Sequence, residues 1–248
     1  MRELIDTVRA AGVEILKVYA KDDLGIEIKA DQTPITLADE ASNRVITENL
    51  KKLFPEIPIL SEEGEIIDYN ARSAWSECFI VDPLDGTKEF IKRNGEFTVN
   101  IGLWRDGEIK EGIVYAPVND VLYFTSEGSA FRIKEGVEEK LPCMETETFT
   151  VAVSNSHISE ITLDHIETLK KKYGRIDLKR IGSSLKMCQI AEGSVDYYPR
   201  LGPTSEWDTA AAHAILKACG GNIYEFDSKK ELTYNKENIL NPHFYAQR

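Results

Sequence analysis

The stretch CFIVDPLDGT, residues 78–87, places two carboxylates three positions apart directly after an apolar run. The run reads as a buried strand. Because Pro83 has no N–H to continue the hydrogen-bond ladder, we expect the strand to stop there and to leave the Leu84 carbonyl free. A carboxylate beside an apolar run needs a partner, and Mg²⁺ binds several carboxylates and a carbonyl together. Asp82, Leu84 and Asp85 therefore form a candidate cation site, with a solvated turn as the alternative if this stretch is taken alone.

Two segments look like helix starts that could hold an anion. Gly86 and Thr87 open the segment that follows the carboxylates, and the free N–H groups and positive dipole of a helix start suit a phosphate. The sequence GSSLK, residues 182–186, opens a second helix with small residues followed by a lysine. Many ordinary helix starts share this pattern, so the second signal is weak by itself.

Composition limits the function classes. The chain has 248 residues, of which 42% are hydrophobic and 9% aromatic, as in a globular protein with one large or two closely packed domains. A formal net charge of −12 argues against binding to nucleic acid or anionic membranes. Small anionic substrates stay open, because bound metal ions reverse the local charge of a carboxylate cluster.

Cysteine use and the lack of long apolar stretches indicate a cytoplasmic protein. The four cysteines are widely spaced and form no C-x-x-C pair, which is typical of reduced thiols. We expect neither a signal peptide nor a membrane span, since no stretch approaches about 18 uncharged apolar residues. Peripheral attachment to the inner face of the plasma membrane stays open, as does the choice between monomer and homodimer.

Hydrophobic spacing predicts an α/β protein in which helices are layered on mixed sheets. Helices are predicted over residues 2–20, 37–54, 159–173, 184–192 and 206–219. Strands are predicted over residues 57–60, 78–81, 97–104, 109–117, 121–126, 150–154, 176–181, 195–198 and 222–226. Residues 132–148 are charged and weakly patterned, so we expect them to connect two subdomains, 1–142 and 143–248.

Three further acidic positions have both a structural and a functional interpretation. Glu62 and Glu63 follow the strand at 57–60 and could form a solvated turn. Asp208 completes a capping box in SEWD, residues 205–208, and Asp39 lies in a first helical turn, where the helix dipole favours any acid. No Ser-His-Asp or Cys-His arrangement is legible, which disfavours covalent catalysis.

Taken together, these motifs resemble a known family. LSEE (60–63), DPLDGT (82–87) and WDTAA (207–211) occur in the order and near the spacing of the inositol monophosphatase-like metal-dependent phosphatases. The resemblance covers almost the whole chain. Residues 82–101 look most like the bacterial 3′(2′),5′-bisphosphate nucleotidases. It implies a layered α/β/α/β/α sugar-phosphatase fold with two mixed sheets. Most metal ligands would lie in residues 1–142, and Asp208 and the nucleotide contacts in residues 143–248.

The resemblance also implies the site residues. Two or three Mg²⁺ ions would be held by Glu62, Asp82, the Leu84 carbonyl, Asp85 and Asp208. The catalytic residues would be Asp39, Thr87 and Glu62, the first two as a hydrogen-bonded pair that orients and helps deprotonate the attacking water. Substrate would be held by Gly86, Thr87, Lys88, Ser154, His157, Gly182, Lys186 and Asp208. The choice of Glu62 over Glu63 as a ligand rests on the resemblance alone.

The function implied is hydrolysis of the 3′-phosphate of 3′-phosphoadenosine 5′-phosphate to AMP and phosphate. 3′-Phosphoadenylyl sulfate would be a second substrate, and the cellular purpose would be to clear a by-product of sulfate assimilation. Inhibition by Li⁺ and Ca²⁺ is also implied. The alternatives are an inositol-phosphate or sugar-phosphate phosphatase and, from another class, a non-catalytic nucleotide-binding regulatory module. A pure binder would not need Asp39 and Thr87 beside a complete ligand set.

Overall fold

The computed structural model describes residues 1–29, 33–65, 67–155 and 158–248. Its helices are α1 (Arg2–Tyr19), α2 (Leu37–Leu53), α3 (Tyr69–Arg72), α4 (Thr87–Ile91), α5 (Glu160–Tyr173), α6 (Leu185–Glu192) and α7 (Ala210–Ala218). A 3₁₀ turn spans Glu206–Asp208. The first strands are β1 (Glu27–Ile28), β2 (Pro34–Ile35), β3 (Ile59–Ser61), β4 (Glu77–Asp85), β5 (Thr98–Arg105), β6 (Glu108–Ala116) and β7 (Val121–Ser126). The others are β8 (Ser129–Lys134), β9 (Val137–Lys140), β10 (Thr150–Ser154), β11 (Asp177–Ile181), β12 (Tyr197–Arg200), β13 (Asn222–Glu225) and β14 (Phe244–Gln247).

Two mixed sheets organise these elements, as the resemblance implies. The larger has seven strands in the order β3-β4-β5-β6-β7-β8-β9, with β3 parallel to β4 and the remaining pairs antiparallel. The smaller has five strands in the order β11-β10-β12-β14-β13, and its first three strands are parallel. β1 and β2 form a separate small hairpin.

The hydrophobic clusters show five layers. The apolar faces of α1 and α2 pack on one face of the seven-stranded sheet, for example Ile15 and Ile46 with Phe79. On the other face, α6 and α7 fill the space between the two sheets. α5 packs through Ile166 and Leu169 on the outer face of the five-stranded sheet. The predicted α/β/α/β/α fold is therefore confirmed.

β4 does not stop at Pro83, so the sequence-based prediction was wrong at this point. Asp82 pairs with Asn100 and Asp85 with Thr98, which puts Pro83 and Leu84 opposite the single residue between those partners. This is a β-bulge, in which the proline leaves the ladder without ending the strand. The bulge places both aspartates near the carboxyl end of β4.

The stretch at 132–148, predicted to connect two subdomains, is not irregular throughout, because β8 and β9 form a hairpin over residues 129–140. Glu135 and Gly136 have φ values of 53° and 76°, which a two-residue hairpin turn of primed type requires. Phe131 and Ile133 pack against the α1–α2 side of the sheet, whereas Arg132 between them points to the opposite face and pairs there with the buried Glu192 of α6.

The division into subdomains 1–142 and 143–248 stays a prediction. The core between the sheets contains residues from both sides of that boundary, including Ile80 and Met187. Within the described residues, no helix combines the length and apolar character that crossing a bilayer requires.

Candidate active site

Three carboxylates meet where β4 ends. One oxygen from each of Asp82, Asp85 and Asp208 lies within 4.8 Å of the other two. β4 supplies the first two, and the 3₁₀ turn brings the third from the other half of the chain. Residues that the sequence separates by more than a hundred positions thus form one acidic cluster.

The β-bulge determines the environment of Asp82. The Leu84 N–H donates to Asp82 Oδ1 at 3.0 Å, and the Ser42 hydroxyl holds the Pro83 carbonyl at 2.7 Å. Asp82 Oδ2 is buried and has no hydrogen-bond partner among the described residues. A buried carboxylate oxygen without a donor is costly unless a cation reaches it.

Asp208 takes part in the predicted capping box. The Ser205 N–H donates to Asp208 Oδ2 at 2.6 Å, and the Ser205 side chain accepts from the backbone of Asp208. The helix expected over 206–219 is divided into the 3₁₀ turn and α7. Since the cap fixes only Oδ2 of Asp208, capping is compatible with a ligand role for the other oxygen.

Burial raises the pKa of every carboxyl group in the cluster, and mutual repulsion adds to the rise for Asp82 and Asp208. Desolvation is the largest cause for Asp82, and the charges of Glu62, Asp85 and Asp208 add to the rise in its pKa. Desolvation, followed by the charge of Asp85, raises the pKa of Asp208 to about 8. Desolvation also raises the pKa of Asp85, with Lys186 opposing it. The protein therefore leaves concentrated negative charge that a cation would stabilise.

Asp39 and Thr87 are hydrogen-bonded, as the resemblance implies. The Thr87 hydroxyl donates to Asp39 Oδ1 at 3.2 Å. Thr36, the predicted cap of α2, donates to Asp39 Oδ2 through its N–H at 2.8 Å and its hydroxyl at 2.6 Å. Desolvation raises the pKa of Asp39 to about 6, and the bonds from Thr36 oppose the rise.

Glu62 lies after β3 and pairs with Lys29, whose Nζ is 3.0 Å from Glu62 Oε1. Lys29 also contacts Glu63, so this ion pair does not distinguish the two glutamates as ligands. Desolvation raises the pKa of Glu62, and the Lys29 charge opposes it. Lys29 was not predicted as a site residue, because nothing in its local pattern connects it to Glu62, 33 positions away.

The acidic cluster opens into a cleft of about 240 Å³. Six of the residues predicted for the site line it: Asp85, Gly86, Lys88, Ser154, Lys186 and Asp208. Arg200 also lines it, although it was not predicted as a site residue, and its Nε is buried without a partner in the part of the chain described. The cleft is thus lined by two carboxylates of the cluster and by three cations.

A second pocket of about 300 Å³ adjoins this cleft and shares Lys88, Ser154, Tyr198 and Arg200 with it. Val153, Ile158 and Pro199 supply apolar lining there. The signal that could have identified Arg200 is its place two residues after the predicted strand at 195–198, which makes it the last residue of β12. A cation that follows a buried strand is available to a site at the strand end.

Lys186 lies deeper than its place at a helix start suggested. Its Nζ donates to the Ser183 carbonyl at 2.5 Å and lies 5.3 Å from the centre of the Tyr198 ring. Burial lowers the pKa of Lys186 to about 8, with the charge of Asp85 opposing the shift. A lysine held in this way presents its charge in a fixed position.

One predicted substrate contact, Gly182, is not among the residues that line the cleft. The Gly182 N–H donates to Glu96 Oε2 at 2.9 Å, and a Cβ at Gly182 would lie 2.6 Å from the Glu96 carbonyl oxygen. Close packing thus accounts for this glycine, and its contact with substrate stays a prediction. His157 lies outside the described residues.

The donor set fits the Mg²⁺ that the resemblance implies. The three clustered groups offer only oxygen, with no cysteine or histidine among them, and Asp82 Oδ2 lacks a partner among the described residues. Oxygen ligands of this kind favour a hard cation over zinc or copper. The Thr87 hydroxyl gives its one hydrogen to Asp39 and lies 3.4 Å from the Leu84 carbonyl oxygen, which leaves that carbonyl available as a further ligand.

Comparisons with known proteins agree with this geometry. The model of the inositol monophosphatase family matches residues 1–247. The chain is 42% identical over 245 residues to the 3′(2′),5′-bisphosphate nucleotidase CysQ of Salmonella typhimurium, covering 98% of both. The crystal structure of CysQ from Bacteroides thetaiotaomicron superposes with a TM-score of 0.90 at 42% identity, covering 99% of this chain and 96% of that one.

A more distant structure shows the fold alone. The Thermotoga maritima IMPase superposes with a TM-score of 0.78 at 24% identity and covers 100% of this chain and 92% of its own. The family match spans nearly the whole chain, and the layered fold and the acidic cluster accompany it. This chain is a member of the inositol monophosphatase family.

Proposed function

We propose that this protein is a Mg²⁺-dependent 3′(2′),5′-bisphosphate nucleotidase that converts 3′-phosphoadenosine 5′-phosphate to AMP and phosphate. The observation that carries the proposal is the lining of the cleft. Asp85 and Asp208 line it together with three cations, Lys88, Lys186 and Arg200. A simple monoester needs only the acidic cluster, whereas a substrate with a second phosphate also uses the cations. The names of the CysQ relatives support this substrate class.

Two or three Mg²⁺ ions would be held by Glu62, Asp82, the Leu84 carbonyl, Asp85 and Asp208. When bound, they would offset the charge of the scissile phosphate and lower the pKa of the attacking water. Li⁺ and Ca²⁺ are proposed as inhibitors, Ca²⁺ because it prefers longer and looser coordination.

Asp39 and Thr87 would manage the proton of that water. Asp39 accepts the Thr87 hydroxyl hydrogen at 3.2 Å, so the Thr87 oxygen keeps its lone pairs for a hydrogen of the water. This pair would orient the water and help remove its proton. Gly86, with φ 98°, turns the chain into α4, and its N–H and that of Thr87 would hold the scissile phosphate.

The remaining residues would bind the rest of the substrate. The fixed charge of Lys186, with Arg200 and Lys88, would hold the second phosphate. The adjoining pocket has the apolar lining and the size that suit a nucleoside. 3′-Phosphoadenylyl sulfate is proposed as a second substrate, since a sulfated group keeps negative charge at the same place. Clearing of a by-product of sulfate assimilation in the cytoplasm would be the cellular role.

Phosphate release from a substrate panel tests the proposal. We expect hydrolysis of 3′-phosphoadenosine 5′-phosphate to exceed that of inositol 1-phosphate and fructose 1,6-bisphosphate, and to stop in excess chelator. A preference for inositol 1-phosphate would overturn the nucleotidase assignment. Tight nucleotide binding without turnover in Mg²⁺ would instead indicate a non-catalytic module.

A further inference from the structure

Two buried polar side chains of β5 are not explained by packing. Thr98 and Asn100 are 0% and 1% exposed on a core strand. Their neighbours Val99 and Ile101 join the apolar cluster beneath α1 and α2. Buried hydroxyl and amide groups cost free energy unless they are hydrogen-bonded, so these two need specific partners.

Both belong to one series of hydrogen bonds that ends on Asp85. Thr98 Oγ1 lies 2.9 Å from Ser184 Oγ, which donates to Asn100 Oδ1 at 2.9 Å. Asn100 Nδ2 approaches Asp85 Oδ2 at 3.4 Å. The backbone N–H of Ser184 donates to the same Asp85 oxygen at 2.6 Å.

The direction of this series follows from the hydrogens available. An ionised Asp85 can only accept, so Asn100 must present its NH₂ to Asp85 and its carbonyl oxygen to Ser184. The Ser184 hydroxyl has one hydrogen, which it uses on Asn100, so Thr98 must donate to Ser184. Every hydrogen points towards Asp85, and hydrogen bonds aligned in this way strengthen one another.

Ser184 also joins two parts of the cleft. It is the residue from which α6 begins, two positions before Lys186. Its N–H and its hydroxyl therefore fix both Asp85 and the start of the helix that carries a cation of the cleft wall. Within the described residues, no hydrogen bond reaches Asp85 Oδ1.

We propose that Thr98, Asn100 and Ser184 are positioning residues that hold Asp85 Oδ2 and so aim Asp85 Oδ1 at the metal. This inference rests on the proposed function, because it takes Asp85 as a ligand of the cation. The buried polar residues of β5 then increase the affinity for the metal, which explains why the core strand keeps them although burying polar groups costs free energy.

Titration calorimetry with Mn²⁺, together with thermal melting in chelator, tests this in the full chain. Asn100→Ala is expected to raise the Mn²⁺ dissociation constant about tenfold, and Thr98→Val about threefold, the range of one lost hydrogen bond. Thr98→Ser, which restores the hydroxyl, should bind like the wild type. Thr125→Val is the matched control, because Thr125 is a buried threonine on β7 whose hydroxyl contacts Gly112.

The outcomes separate this inference from the proposed function. If Thr98→Val melts like Thr125→Val and both bind Mn²⁺ within twofold of the wild type, the series is only part of the core and the inference is wrong. Should Asn100→Ala fail to fold, Thr98→Val and Thr98→Ser decide alone. A wild type that binds no Mn²⁺ would overturn the proposed metal chemistry together with this inference.

Discussion

Two buried carboxylates, Glu206 and Asp82, are treated in opposite ways by this protein. Glu206 is 0% exposed and accepts from the N–H groups of Asn235 and Lys236 at 2.7 and 2.9 Å and from Lys236 Nζ at 2.7 Å. Asp82 is 1% exposed, yet among the described residues only the Leu84 N–H donates to it. Glu206, which stabilises the fold, therefore has a full set of hydrogen-bond donors. Asp82, which we expect to bind a cation, has too few.

The largest effect is expected when the charge of a proposed metal ligand is removed. Asp85→Asn keeps the side-chain shape, so we expect the melting temperature to change little. kcat should fall about a thousandfold, the equivalent of about 4 kcal/mol of lost transition-state stabilisation. Steady-state kinetics with 3′-phosphoadenosine 5′-phosphate in saturating Mg²⁺ measures it. A variant that keeps more than half of the wild-type kcat would show that Asp85 is only a turn residue.

Removing the charge of Glu206 and removing that of Asp82 should change the free energy of unfolding in opposite directions. Glu206→Gln leaves Lys236 without its buried partner and should destabilise the protein by about 3 kcal/mol. In chelator, Asp82→Asn removes an uncompensated charge and should stabilise it by about 1 kcal/mol. Urea unfolding of both variants checks the signs. If Asp82→Asn destabilises the metal-free protein as much as Glu206→Gln does, the metal-free fold satisfies Asp82 as fully as it satisfies Glu206.

The same contrast explains what the sequence could and could not predict. Asp82, Asp85 and Asp208 were identified because their local motifs resemble a family pattern, and the capping box at Ser205 was legible from spacing alone. Glu206 lies within that box, but its role depends on Asn235 and Lys236, which no local pattern connects to it. Hydrogen bonds between residues far apart in the sequence form only in the folded chain, so local patterns do not predict them.

The fold shows the same limit. Helices α1 and α2 were predicted nearly to their ends, because apolar periodicity is a local signal. The bulge in β4 was not predicted, because a proline ends a strand only if pairing with the neighbouring strand does not resume after it. Here the pairing resumes between Asp85 and Thr98. β14, which follows Asn241 and Pro242, was missed because four residues carry too little pattern.

A Lys186 variant tests whether the cations of the cleft bind the second phosphate of the substrate. Lys186→Ala should raise KM for the bisphosphate nucleotide about ten- to a hundredfold, which is typical of a lost charge-assisted hydrogen bond. Hydrolysis of a simple monophosphate should change much less, because the acidic cluster would hold the scissile group through the bound cations. Lys171→Ala, an exposed lysine of α5, is the matched control. Equal losses with both substrates would assign Lys186 to the catalytic or structural core instead.

The pH dependence of Asp208 gives the smallest expected effect. Burial raises the pKa of Asp208 from its ordinary value of 3.8 to about 8 in the fold. In chelator, the unfolded chain therefore loses this proton at lower pH, and stability falls as pH rises from about 4 to 8.

Asp208 lines the cleft, where water screens part of the repulsion, so we expect its share to be about 1 kcal/mol. The asparagine of Asp208→Asn cannot titrate. The free energy of unfolding of this variant minus that of the wild type should therefore be constant near pH 4 and increase towards pH 8. Saturating Mg²⁺ should flatten the wild-type curve, because the cation favours the ionised form. Parallel curves for the wild type and Asp208→Asn in chelator would mean that the Ser205 cap already satisfies Asp208, as Lys236 satisfies Glu206.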